Sequence, residues 1–144
     1  MTAAVLLLGL VVSCSGSAQT KADYLKRSEA ICAQLENDGH ALPQPAGPKD
    51  LPAYLTASTR LTVTAKAKLD HLARNYSDGS YVRRIFLDPM AAQIKAVRDV
   101  MPKVVEESAR GVTATLDALK LPQANLEAMG VYGFHECRKV VGSQ

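Results

Sequence analysis

Tryptophan is absent from this 144-residue chain, and phenylalanine occurs only twice. With aromatics at 5% and alanine and leucine plentiful, the composition predicts a helical core built from small side chains. Strand-type alternation of apolar and polar residues is essentially missing, which argues against a sheet. No apolar run approaches the roughly 20 residues that a spanning helix requires. Several chemical signatures are also missing. There is no Cys-x-x-Cys and no His-Glu-x-x-His for a metal, and no Gly-x-Ser-x-Gly for a nucleophilic serine. Gly130-Val131-Tyr132-Gly133 has two glycines, but neither a strand before it nor a Gly-Lys-Ser/Thr after it, so it is no phosphate loop. Lysine and arginine are absent before Lys21, so every charge of the net +3 lies in the body of the chain. That charge is mild and mixed in sign, and it predicts no nucleic-acid partner.

What is present begins with Cys14. It follows the apolar run from Ala3 to Val12, about ten residues and the length of a signal-peptide core. Val11-Val12-Ser13-Cys14 resembles a bacterial lipobox, in which an aliphatic residue and small residues precede the cysteine that receives the lipid. The sequence thus predicts a signal peptide over residues 1–13, a lipidated cysteine and flexible tether over 14–20, and a single helical domain over 21–142. Residues 15–20, Ser-Gly-Ser-Ala-Gln-Thr, are small and polar, as a tether requires. Acyl chains such as palmitate contribute about 0.8 kcal/mol per buried methylene, and two or more give stable anchoring. The expected location is the extracytoplasmic face of the cell membrane. The competing reading is a plain secretory signal processed near Gly16-Ser17-Ala18, with Cys14 removed. Met1-Thr2 carries no basic residue, where signal peptides usually have a positive cluster.

Lipid on Cys14 would leave Cys32 and Cys137 as an even pair in an oxidising compartment, where a disulfide is the default. They lie 105 residues apart, a separation for which chain entropy gives at most about 4.7 kcal/mol. A metal pair or a reactive thiol are the alternatives.

The helical pattern supports an all-α bundle of about four helices, the first and last joined by that bridge. Thr20-x-x-Asp23 is a helix-start signal of the capping-box type, and Tyr24, Leu25, Ser28, Ile31, Cys32 and Leu35 follow at helical spacing. Asn37-Asp38-Gly39 is expected to stop this helix, before a proline-rich connection from His40 to Lys49. Asp50 is placed to cap a second helix, with Pro52 in its first turn and Tyr54, Leu55, Leu61, Ala65, Leu69 and Leu72 along one face. Residues 75–79 form a turn cluster. A third region opens near Ser80 and keeps its apolar face (Val82, Ile85, Phe86, Met90, Ile94, Val97, Met101, Val104, Val105) through Pro89 and Pro102, the latter expected to kink or divide it. Gly111, Val112, Leu116 and Leu119 continue that region. A last helix over 124–141 is interrupted by Gly130 and Gly133.

The run Ala22-Asp23-Tyr24-Leu25 with Glu29-Ala30-Ile31-Cys32, paired with Tyr132-Gly133-Phe134 and Cys137, resembles small secreted or lipid-anchored helical proteins of actinobacteria. The likeness covers only the two ends, and Arg138 stands where a glycine is common in those proteins. It implies a helical fold and an envelope location, with no activity attached.

For chemistry the sequence offers three histidines. A composite metal or haem site of His71 with Tyr76, Tyr81 or His135 can be drawn, but His40, His71 and His135 read as exposed helix-end residues. Glu106-Glu107 with Arg110 read as a solvated helix face, and so do the basic residues Arg83, Arg84, Lys95, Arg98 and Lys103, for which a headgroup-binding stripe is the alternative. Met90 and Met101 read as core. No enzyme and no cofactor are expected. The predicted function is a non-enzymatic interaction module that meets another envelope protein. The alternative is an apolar ligand, haem or metal held where prolines 89 and 102 and glycines 111, 130 and 133 splay the helices.

Overall fold

A computed structural model describes residues 19–104 and 120–142, all of whose regular structure is helical. The expectations placed on Cys14, its leader and its tether as far as Ala18, on Glu106, Glu107 and Arg110, and on Val105, Gly111, Val112, Leu116 and Leu119 lie outside the described residues.

The first helix, α1 (Lys21–His40), starts as its sequence dictates. Thr20 Oγ1 accepts from the Asp23 N–H at 3.1 Å, and its hydroxyl donates to the Asp23 carboxylate at 2.6 Å. The first bond satisfies one orphaned N–H of the opening turn, and the second holds the Thr20 hydroxyl in place for it. The helix does not stop at Asn37-Asp38-Gly39 but runs to His40. Gly39 keeps a negative φ, so no left-handed residue turns the chain there. Gln34 bonds the Asp38 side chain, adding an i,i+4 link across the expected break.

After the proline-rich connection comes α2 (Leu51–Arg74), antiparallel to α1. Asp50 does not cap it: the residue is itself helical in φ and ψ, and its carboxylate accepts from the Ala46 N–H instead. Pro52 sits in the first turn, where a missing N–H costs nothing.

Gly79 opens α3 (Gly79–Val82) because nothing larger fits. A Cβ there would lie 2.0 Å from the Ala73 carbonyl oxygen. One π turn, Arg83–Leu87, links α3 to α4 (Asp88–Val104). The wider turn allows three consecutive apolar side chains, Ile85, Phe86 and Leu87, to be buried together. Pro89 has no N–H to offer the preceding turn, and the Ile85 carbonyl accepts from Asn125 Nδ2 at 3.1 Å. Pro102, expected to kink or divide the region, lies inside α4, which continues to Val104.

Two short helices close the described chain, α5 (Gln123–Tyr132) and α6 (Glu136–Gly142). The break between them falls at Gly133, whose φ of 115° only glycine adopts without strain, while Gly130 stays helical. The expectation of about four helices is therefore too low: the third region divides at a π turn and the last at Gly133. α6 runs beside α1 in the same direction, with Gly133 near Leu25 and Lys139 bonded to Glu36. Glu29 of α1 accepts from the Glu136 and Cys137 N–H groups, so a neighbouring helix supplies the N-terminal cap of α6. Cys32 and Cys137 form a disulfide with a Cα separation of 4.9 Å.

The core corrects the expectation of small side chains. Both phenylalanines and Tyr24, Tyr76 and Tyr132 are buried. Their rings form a column: Phe86 to Phe134 at 5.3 Å, Phe134 to Tyr132 at 5.5 Å, and Tyr24 stacked on Tyr76 at 4.3 Å. Such pairs add about 0.5–1.5 kcal/mol each beyond area burial. A few aromatics placed together thus outweigh their share of the composition. A second, smaller cluster joins Leu55 of α2 to Val104 of α4, flanked by Leu51, Tyr54, Val100 and Met101.

Candidate functional site

Three places could carry function: a phenol cluster, a groove between α1 and α2, and the end of the bundle where α1 begins.

The phenol cluster forms because α5 delivers Tyr132 to the turn that carries Tyr76 and Asp78. The Tyr76 and Tyr132 hydroxyls lie 2.7 Å apart, and both stand within 3.3 Å of the same Asp78 oxygen, so one phenol donates to the other and the second donates to the carboxylate. The Lys21 ammonium stands over the Tyr132 ring at 4.1 Å. Burial, then the Tyr76 hydrogen bond and the Asp78 carboxylate, push the Tyr132 phenol well above its ordinary value; burial does the same to Tyr24. A tyrosine that acts as base or nucleophile needs the opposite shift. The Tyr132 phenol is held protonated, and its hydrogen bonds tie α5 to the turn after α2. Sequence alone gave no signal for it, because Tyr76 and Tyr132 are 56 residues apart.

The groove has a volume of about 830 Å³. Ile31, Val63 and Leu72 give it an apolar floor, and Arg27, Lys68 and His71 edge it. None of those three edge residues has a carboxylate partner among the described residues, and no acidic side chain lines the groove. The cause is the antiparallel packing of α1 on α2, which sets Arg27 opposite Lys68 and His71 over small residues, Ala30 and Ala67.

Compared with known proteins, this chain matches no family model, no curated protein and no solved structure. Its function is read from its own residues.

Of the residues singled out by sequence, Cys32 and Cys137 are brought together as a disulfide. His40, His71 and His135 are exposed. The composite site is not assembled: His71 edges the α1–α2 groove, His135 lies beside Arg138 and Lys139, and no hydrogen bond joins either to a tyrosine. Among the described residues no group of three His, Cys, Asp or Glu could hold a metal ion, and no helix is long and apolar enough to cross a membrane.

The basic residues of the third region are less uniform than a solvated face. Arg83 bonds Asp70 at 3.2 Å, Arg84 stacks on Tyr81, and Lys95 pairs with Asp99. Met90 is buried, and Met101 packs against the smaller cluster. Glu29, to which the sequence assigned no role of its own, caps α6. Glu36 is likewise engaged: the Lys139 ammonium, 2.8 Å away, holds its carboxyl below the usual carboxylate range.

Proposed function

We propose that the protein is a lipid-anchored, extracytoplasmic helical lipoprotein that works as a non-enzymatic binding module in the cell envelope. The observation that carries this reading is the allocation of the three cysteines. Cys32 and Cys137 are bridged, as suits an oxidising compartment. Cys14 is the one remaining cysteine of the chain, and it stands directly behind an apolar run of signal-peptide length. Six small or polar residues then lead to the start of α1.

The binding face is the α1–α2 groove, and its occupant is an acidic segment of another envelope protein. Charge complementarity supports that choice, since Arg27, Lys68 and His71 edge the apolar floor without a carboxylate among them.

Changing Cys14→Ala moves the protein from the membrane to the soluble fraction, and native material carries an acylated Cys14 as its first residue. An unmodified chain in the soluble fraction would overturn the anchored reading. Pull-down from native membranes with the wild-type chain captures a protein that Ala67→Arg, placed on the groove floor, fails to hold. A small anionic amphiphile that raises the melting temperature of wild type but not of Ala67→Arg, with no protein captured, would replace the partner by a ligand.

A further inference from the structure

Among the described residues the large hydrophobic side chains left exposed are Tyr81, at 37%, and Val131, at 88%. Single exposed apolar residues are ordinary on any surface. These two, however, share one end of the bundle. The Tyr81 ring lies 5.5 Å from Tyr132, the chain neighbour of Val131, and Lys21 stands over that same Tyr132 ring. Arg84 covers Tyr81 at 5.2 Å. An aromatic ring, an aliphatic tip and two cations are thus gathered where α1 begins.

The chain that leads into this end fixes what it can reach. Six residues separate Cys14 from Lys21, and seven backbone steps at no more than about 3.6 Å each span roughly 25 Å. The opposite end of α1, at His40, is about 30 Å further away. Asp23, Asp78 and Glu127 lie near as well, and their hydrogen bonds to Thr20, to the Tyr76 and Tyr132 pair, and to Gln123 leave their charge in place. Lys21 and Arg84 are the cations set against the rings at this end, over Tyr132 and Tyr81.

We propose that this end of the bundle lies against the bilayer, with Val131 and Tyr81 at the boundary of headgroups and acyl chains and Lys21 and Arg84 on the phosphates of anionic lipids. The proposal rests on the anchored reading above. Tyrosine is enriched at that depth because its ring is apolar and its hydroxyl wet, and basic residues are drawn to anionic headgroups. Acyl chains on Cys14 keep the protein near the membrane; the patch sets its orientation. Docked this way, the long axis of α1 points away from the lipid, and the proline-rich connection stands outermost.

The absence of tryptophan makes the test direct, because one introduced tryptophan is the only such fluorophore. The chain from Cys14 onward, which contains every described residue, is prepared with its disulfide formed, so that Cys14 carries the one free thiol. It is coupled to maleimide lipid in vesicles containing phosphatidylglycerol. Val131→Trp should then show a blue-shifted emission and quenching by brominated acyl chains, whereas Gln44→Trp in the connection shows neither. Adding Lys21→Glu and Arg84→Glu should abolish the shift with coupling intact. Equal exposure of both tryptophans to solvent, or equal quenching of both, would overturn the proposal. Because coupling supplies the attachment, failure here is separate from failure of acylation, which the Cys14→Ala fractionation decides.

Discussion

The two ends of the bundle are held by different means. From the start of α1 to just past its middle, an aromatic column, a shared carboxylate, a borrowed helix cap and the disulfide all join α5 and α6 to the longer helices. At the other end, Leu55 meets Val104 in a small aliphatic cluster with no cross-link among the described residues. Among the described residues, one end is held by polar and covalent contacts and the other by side-chain packing. Stability in such a molecule is not uniform, and the second end should open first.

Breaking the comparison at its strongest point means removing the bridge. Cys32→Ser with Cys137→Ser should cost about 2–4 kcal/mol, below a chain-entropy ceiling near 4.7 kcal/mol. Urea unfolding of the variant and of wild type measures it, and a loss below about 1 kcal/mol would mean that the Glu29 cap and aromatic column suffice without the bridge.

The same residue type at the two ends of α2 gives a sharper contrast. Leu69 is fully buried in the large core and Leu55 lies in the small cluster. Leu69→Ala should cost about 4 kcal/mol and Leu55→Ala about 2 kcal/mol, because the looser site relaxes around the missing atoms. Hydrogen exchange should show the Leu55 effect confined to the start of α2 and the end of α4. Equal losses would erase the distinction between the ends.

Much of the bundle could be read in the residues themselves. Thr20 and Asp23 mark the start of α1 because a capping box is a local device, and the face running through Tyr24, Ser28, Cys32 and Leu35 is the one buried. What escaped depends on partners distant in sequence. Glu29 looks like any exposed carboxylate until α6 arrives beside it. Asp50 has the right identity for a cap, but a nearer backbone N–H, that of Ala46, competes for it. The π turn was hidden because Ile85-Phe86-Leu87 reads as an ordinary apolar run; only their joint burial shows that the turn has widened. The groove has the same character, since Arg27 and Lys68 become neighbours only when α1 and α2 pack.

The smallest expected effect lies at alkaline pH and belongs to the first end alone. Tyr24 and Tyr132 have raised values in the folded protein, so the stability they add is complete below their ordinary value near 10 and is lost as pH rises through the folded values. Of the five tyrosines, these two should therefore ionise together with unfolding. Tyrosinate absorbance followed beside far-ultraviolet circular dichroism checks this. A Tyr132→Phe variant that keeps the wild-type alkaline midpoint would show that the shared Asp78 carboxylate contributes nothing.

The Cys32–Cys137 bond also has a topological consequence. Residues 41–50, with prolines at 43, 45 and 48, join α1 to α2 without regular structure and would meet a protease first. A single cut there would leave two fragments that travel as one molecule, and only a reductant would release the larger piece from the one carrying α1.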